Sequence, residues 1–144
     1  MKFTSVLSAV AGAFLLAPAQ ALPEDYIGIV EVAADGTLSP IEARLSDDHS
    51  VEKRAGNVRG YIYTTNCQST YYEWANRNGC FAYYNGNTLM DMYSVWAMGS
   101  GCSVEFFQGN AQCAYFRSGR LEGSNVCGRY NNGQAFKSVR VNCD

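Results

Sequence analysis

The sequence predicts an all-β fold, a small disulfide-stapled β-sandwich contained in residues 55–144. Short runs rich in Tyr, Phe, Val and Ile recur in this part of the chain, among them GYIYTTN, CFAYYN, YSVWAM, SVEFFQ, CAYFRS and KSVRVNC. Gly and Asn at turn-prone positions separate these runs, as at 85–86 and 132–133. All six cysteines also lie there. Apolar runs of this length between turn residues are typical of hairpin-connected strands rather than helices.

Residues 1–21 have the pattern of a signal peptide. Lys2 precedes an apolar run at 6–17, which is too short to span a bilayer. Ala19-Gln20-Ala21 then supplies a small-x-small sequence, so we predict cleavage after Ala21. The alternative, a buried helix, fits the terminal position less well. The protein is therefore expected to be secreted and extracellular, without stable insertion into a membrane.

Residues 22–54 form an acidic leader of different composition. Eight acidic residues stand against three basic ones, a net charge of −5, and the leader contains no cysteine. Its one apolar patch, at 26–32, is too small to build a core alone. We therefore expect the leader to be flexible or only weakly structured.

The leader ends at the dibasic pair Lys53-Arg54. A Lys-Arg pair after an acidic leader and a signal peptide resembles the site that kexin-type proteases cut in the fungal secretory pathway. An ordinary solvated charge pair is the alternative, but all six cysteines follow the pair and all three prolines precede it. We therefore predict that a kexin-type protease removes residues 22–54 and releases a mature domain of residues 55–144.

The charge of the mature domain argues against a nucleic-acid partner. It carries seven basic and five acidic residues, a net charge of +2, whereas the whole chain has −2. Domains that bind phosphate backbones usually carry a clear basic stripe. The one histidine, His49, belongs to the leader, and the cysteines lack zinc-site spacing. We therefore predict three disulfides, no metal site and no cofactor.

The mature domain contains an internal repeat, with copies at about residues 58–98 and 101–143. Each copy runs from an aromatic strand to a cysteine, a second cysteine, a Gly/Asn turn and a strand that begins Ser-Val. In this alignment Cys67 matches Cys113, and Cys80 matches Cys127. Two such copies fit a pair of four-stranded Greek keys.

A strand with an aromatic pair, a Gly/Asn turn and the closing SVRV resemble the Greek key of the β/γ-crystallin family. The small microbial members of that family include secreted killer toxins, a metalloproteinase inhibitor and cysteine-rich effectors of plant-associated fungi. The resemblance covers most of residues 60–142 and is clearer in the second half. It implies two β/γ-crystallin-like Greek keys.

Six cysteines alone allow 15 disulfide connectivities. If equivalent cysteines of the two halves pair equivalently, two bridges form within the halves and the third joins neighbouring strands of the second Greek key. The expected pairs are Cys67–Cys80, Cys113–Cys127 and Cys102–Cys143.

The resemblance also raises the question of a calcium site, because many β/γ-crystallin domains bind calcium. Those domains place an Asn/Asp pair two positions before a Ser/Thr-Ser pair. Here Asn131-Asn132 is separated from Ser138 by five residues, so the spacing is wrong. Asp91 has no acidic neighbour close by, and calcium needs several oxygen ligands. We expect no high-affinity calcium site.

The segment YYEW, residues 71–74, resembles the segment that carries a catalytic glutamate in small secreted fungal ribonucleases. Arg77 follows nearby and could hold a phosphate. Those enzymes also need histidine as a general acid, and the mature domain has none. Glu73 is therefore expected to be a solvent-facing charge, no catalytic residue is assigned, and the protein is expected not to be an enzyme.

Binding remains as the expected activity. The adjacent pairs at 71–72, 83–84 and 106–107 should each turn one aromatic ring outward if they lie in strands. Outward tyrosines and arginines favour a contact surface for protein or carbohydrate. The candidate surface consists of Tyr71, Tyr84, Arg117, Arg120 and Arg129, and residues 116–125 are the expected recognition loop.

Two principal functional hypotheses follow. In the first, the protein is a secreted, non-enzymatic fungal effector-like or toxin-like virulence factor that binds a protein or glycan of a host or competing organism. In the second, it inhibits a secreted protease through an exposed loop. A third role, in binding cell-wall carbohydrate or as a structural protein, predicts retention on chitin or glucan.

Overall fold

The computed structural model describes residues 21–47, 57–97, 101–114, 117–122, 126–129 and 133–144. These residues form β-strands and no helix, which confirms the all-β prediction. Within the same ranges no helix is long and apolar enough to cross a membrane. The apolar run of the predicted signal peptide and the Lys53-Arg54 site lie outside the described residues. The strands are β1 (Ile27–Val32), β2 (Leu38–Pro40), β3 (Arg44–Ser46), β4 (Asn57–Tyr61), β5 (Tyr71–Ala75), β6 (Gly79–Asn85), β7 (Thr88–Leu89), β8 (Ser94–Ala97), β9 (Cys102–Phe107), β10 (Arg117–Glu122), β11 (Val126–Gly128) and β12 (Ser138–Cys143).

The strands form two antiparallel sheets. The first sheet has the order β10-β9-β12-β6-β1-β2, with β7 also paired to β6. The second has the order β11-β8-β4-β5-β3. Apolar side chains of both sheets, such as Val58 and Trp74 from the second and Phe81 and Val139 from the first, share one buried cluster. The main core therefore lies between the sheets, as expected for a β-sandwich.

Each half of the mature domain contributes to the sheet that holds most of the other half. In residues 58–98, β8, β4 and β5 are neighbours in the second sheet, whereas β6 and the two-residue β7 lie in the first. In residues 101–143, β12, β9 and β10 are neighbours in the first sheet, whereas β11 lies in the second. Each sheet is thus completed by a strand from the other half.

The predicted repeat recurs in the local hydrogen bonds. Ser94 Oγ accepts a hydrogen bond from Cys67 N at 3.1 Å, and Ser138 Oγ accepts one from Cys113 N at 3.2 Å. The same hydroxyls donate to backbone carbonyls at 2.6 and 2.7 Å. Both serines are fully buried, and Cys67 and Cys113 both have positive φ angles, 54° and 50°. The match between the two halves therefore extends to backbone conformation and side-chain hydrogen bonds.

Equivalent residues of the two halves also meet directly. Met92 and Phe136, each two residues before the serine of its half, form an antiparallel bridge. Met92 N donates to Phe136 O at 3.0 Å, and Phe136 N donates to Met92 O at 2.8 Å. Both side chains are fully buried in the main core. Equivalent positions of the two halves therefore contact each other in the main core.

The leader is an ordered part of this fold, so the expectation of a flexible leader is wrong for residues 22–47. Strands β1 and β2 extend the first sheet beyond β6, and β3 extends the second beyond β5. Leu22, Ile29, Val30 and Val32 are at most 5% exposed. The leader cannot build a core of its own, but it gains order by burying these side chains against a core that the mature domain supplies.

Candidate functional site: the leader-covered edge

Two of the three disulfides differ from the predicted pairs. The bridges are Cys67–Cys127, Cys80–Cys113 and Cys102–Cys143. The two pairings within halves were wrong, whereas the third bridge has the expected partners. Equivalent cysteines do pair equivalently, but they pair between the halves, because the strand that carries the second cysteine of each half lies in the other half's sheet.

The candidate functional site is the side of the sandwich where the leader covers strands β6 and β5. Strand β1 runs antiparallel to β6 through five consecutive pairs, from Ile27 opposite Asn85 to Glu31 opposite Phe81. At the start of β1, Gly86 N donates to Tyr26 O at 2.5 Å. Gly86 has a φ of +58°, and a Cβ there would lie 2.9 Å from the leader's backbone, at Glu24 O. The turn after β6 therefore favours glycine both for its conformation and for its contact with the leader.

Strand β1 contributes apolar side chains to both faces of the first sheet. Ile29 belongs to the main core between the sheets. Val30 and Val32 belong to a second cluster on the outer face, together with Ala82 and Tyr84 of β6. This outer cluster also includes Leu22, Cys80, Phe107, Ala111 and Cys113. Because alternate residues of a strand face opposite ways, one leader strand completes two apolar clusters at once.

The leader's contact with the second sheet is smaller. Strand β3 pairs with β5 through three residues, from Arg44 opposite Glu73 to Ser46 opposite Tyr71. Leu45 in the middle of β3 is 55% exposed, so this strand buries little apolar surface. A cavity of about 390 Å³ lies beside it, lined by leader residues Ile41, Glu42 and Arg44 and by Asn57, Glu73, Trp74, Ala75 and Arg77 of the mature domain.

One ion pair joins β1 to the mature domain. Arg77 Nη2 lies 2.5 Å from Glu31 Oε2. The two side chains are 50% and 36% exposed, so water and salt screen their attraction. Apolar burial and strand pairing, rather than charge, are therefore the main attachments of β1.

The candidate tyrosines do not form an exposed surface. Tyr71 and Tyr84 are 6% and 9% exposed. Neighbouring rings do face opposite sides of their sheets: Tyr72 and Tyr83 lie in the main core, while Tyr71 and Tyr84 lie in outer clusters. The prediction of an exposed ring is wrong for Tyr71, whereas Tyr84 is buried while the leader is attached. Leader residues cover Tyr84, and Tyr71 packs in a cluster that includes Cys67.

The candidate arginines lie on the opposite side of the sandwich. Arg117 and Arg120 belong to β10, the far edge of the first sheet, and Arg129 directly follows β11, the far edge of the second. Arg117 Nη1 lies 2.9 Å from Glu105 Oε1, and Arg120 Nε lies 2.9 Å from Glu122 Oε1. The five candidate residues are thus split between two sides. Of the expected recognition loop at 116–125, residues 117–122 form strand β10, which pairs with β9, and the other four lie outside the described residues.

Glu73 is buried, so the prediction of a solvent-facing charge was wrong. Its side chain is 8% exposed, and its Oε2 accepts a hydrogen bond from Arg59 Nε at 2.7 Å. Asn57 Nδ2 donates to Glu73 Oε1 at 3.0 Å. Glu73 faces Arg59 across the β4–β5 ladder, so strand register places the two charges together. The arrangement fits a buried structural ion pair.

Burial changes the acidity of several groups in the domain. Burial, followed by the neighbouring Tyr83, raises the pKa of Tyr72 to about 12. Burial also raises the pKa of Tyr84. For Arg59, burial opposes the charged form, but the hydrogen bond to Glu73 and the nearby Tyr71 outweigh it, so its pKa is raised. These tyrosines are therefore neutral and Arg59 is charged at ordinary pH.

Comparison with known proteins identifies no relative. No protein-family description, curated protein or solved structure matches the chain. The geometry of the chain itself therefore has to carry the functional proposal.

Sequence reasoning missed the structural role of the leader. The relevant signal was present in the run IGIVEV, residues 27–32, which is rich in β-branched residues and contains no proline. The apolar patch at 26–32 is too small to form a core by itself. To become ordered, however, a strand needs only the edge of an existing sheet to pair with, and β6 supplies that edge.

Proposed function

We propose that the chain is the precursor of a secreted, non-enzymatic binding protein, effector-like or toxin-like, that acts on a protein of a host or competing organism. Cleavage at Lys53-Arg54 would separate the leader from the mature domain. The leader contains no cysteine, so no disulfide would retain it after the cut. Departure of the leader would then uncover the binding side.

The observation that carries this proposal is the coverage of β6 by β1. Within the described residues, the leader completes the first sheet and buries Val30 and Val32 beside Tyr84. Apolar surface of this kind, when uncovered, is typical of protein interaction sites. The three disulfides fit an oxidising compartment and support the proposal of secretion.

We also propose that the mature domain consists of two Greek keys of the β/γ-crystallin type. The neighbouring strands β8-β4-β5 and β12-β9-β10 repeat one order, and what remains of each half, β6 with β7 and β11, lies in the other half's sheet. The matching hydrogen bonds of Ser94 and Ser138 support a duplicated motif.

The test compares wild type with a Lys53→Gln, Arg54→Gln variant, both secreted by a host that has a kexin-type protease. The intact mass of the wild-type product should equal residues 55–144 less six hydrogens. Labelled wild-type protein should bind cells of a susceptible organism saturably, and unlabelled protein should compete.

The uncleavable variant should keep its leader and lose this binding. Equal binding by the two proteins, or secretion of wild type with the leader still joined to the mature domain, would refute the proposal.

A further inference from the structure

Resting on the proposed function, we propose that the edge of β6 is the docking site and that the partner protein adds an extended segment of its own there, in the place of β1. In the precursor β6 lies between β12 and β1. Without β1 it becomes an edge strand whose outward backbone N–H and C=O groups lack partners. Such an edge is a template for strand addition.

The contacts of β1 define the chemistry of the partner segment. It has to supply an apolar side chain where Ile29 enters the main core, and further ones where Val30 and Val32 enter the outer cluster. A partner segment without proline that carries apolar residues at the positions equivalent to 29, 30 and 32 satisfies these requirements. The partner is therefore a protein with an exposed or releasable extended segment rather than a glycan, which has no strand backbone to pair.

The far edge of the first sheet is less suited to this role. Strand β10 carries Arg117 and Arg120, which are more than 40% exposed, and its register with β9 shifts between Arg117 and Gly119. Exposed charges and bulges are two common protections of sheet edges against pairing. In contrast, β6 pairs with β1 through five residues without a shift. Strand β10 is therefore an edge of the sheet with or without the leader and is protected, whereas β6 has a regular edge that the leader covers.

The edge of β5 in the second sheet is also covered, but it offers less. Strand β3 pairs there through three residues and leaves Leu45 largely exposed. A partner that replaced β3 would gain little apolar burial. Strand β6 therefore provides the larger part of the leader-covered side.

The test uses disulfide-bonded full-length protein cut at Lys53-Arg54 with a kexin-type protease. The probe is a fluorescein-labelled synthetic peptide of residues 22–34. We expect the peptide to displace the bound leader with 1:1 saturation, measured by fluorescence polarisation. Hydrogen exchange should show that the peptide protects amides of residues 79–85. A control peptide with Val30→Glu should bind at least about tenfold more weakly, because it would bury a charge without a partner.

A locked variant supplies the matched control on the protein side. Ile27 and Asn85 are register partners, and Ile27 is exposed, so Ile27→Cys with Asn85→Cys should cross-link β1 to β6. The locked protein should be cut normally, as shown by its mass after the disulfides are reduced. Its β6 edge should nevertheless not bind the peptide. The Ile27→Ser, Asn85→Ser protein should bind it.

Three results would overturn the docking site. They are absence of peptide binding to the cut protein, protection of residues 117–122 in place of 79–85, and equal peptide binding by the locked and serine proteins. These failures are distinct from failure of the proposed function. If binding to target cells requires cleavage but the peptide does not bind β6, the function stands and the docking site lies elsewhere.

Discussion

Replacement of Ile29 by alanine tests whether the leader is an integral part of the core of the full-length protein. Ile29 is 0% exposed and packs in the main cluster between the sheets. Truncation of a fully buried isoleucine to alanine removes apolar contacts and leaves a cavity, at a cost of about 2–5 kcal/mol. We expect the free energy of unfolding of the full-length protein to fall by about this amount.

The measurement is urea unfolding of the full-length, disulfide-intact protein, followed by tryptophan fluorescence. Trp74 lies in the same cluster as Ile29, so its fluorescence should report the unfolding of that cluster. Ile27→Ala is the matched control, since Ile27 is the same residue type on the same strand but is 55% exposed. Its effect should stay within about 0.5 kcal/mol.

A loss below about 0.5 kcal/mol for Ile29→Ala, or equal losses for the two variants, would refute the reasoning. Either result would mean that β1 does not share the core of the mature domain. The dependence of the unfolding free energy on urea concentration should be unchanged in both variants, because this slope scales with the surface exposed on unfolding.

Three further predictions concern the mature domain. Ser94→Ala and Ser138→Ala should each lower the free energy of unfolding by about 1–3 kcal/mol, because each leaves buried backbone groups without a partner. Urea unfolding should show similar losses for the two variants. A clear loss in only one of them would contradict the equivalence of the halves. Arg59→Met should cost about 3–5 kcal/mol by leaving Glu73 charged and unpaired, whereas Arg59→Met with Glu73→Gln should recover part of that loss in the same assay. Because its pKa is raised to about 12, Tyr72 should be half ionised only near pH 12 in the folded protein, while unfolded tyrosine is half ionised near pH 10. Its contribution to stability is therefore fully present below about pH 10 and is lost as the pH rises through about 12. Ultraviolet titration of Tyr72→Phe and wild type checks this, and the same tyrosinate signal from both proteins near pH 12 would contradict it.

Much of the fold was predictable because its signals are local. Strand runs and Gly/Asn turns indicated all-β structure, and the alignment of Cys67 with Cys113 identified positions that share their hydrogen-bond environment. Pairing between cysteines depends on which strands become neighbours. The exchange of β6 and β11 between the halves is a property of the whole fold, so local pattern favoured the wrong partners for two bridges.

The candidate site was less predictable for the same reason. Alternation correctly placed Tyr71 and Tyr72 on opposite faces, but it could not show that other segments cover the outer faces. Composition suggested that the acidic leader was separate from the domain. Its order depends on an edge more than 50 residues later in the chain, where Val30 lies opposite Ala82.

The exchange of strands also constrains the order in which the molecule can be completed. Cys67 pairs with a cysteine 60 residues later, and Cys80 with one 33 residues later, so neither bridge can close until synthesis has entered the second half, at Cys127 for the first and Cys113 for the second. Within the mature domain β6 pairs with β7 through only two residues, and its longer partner is β12, the last of the described strands. Strand β1 is made before β6 and can pair with it throughout that interval. The leader can thus supply β6 with a paired neighbour before β12 has been synthesised.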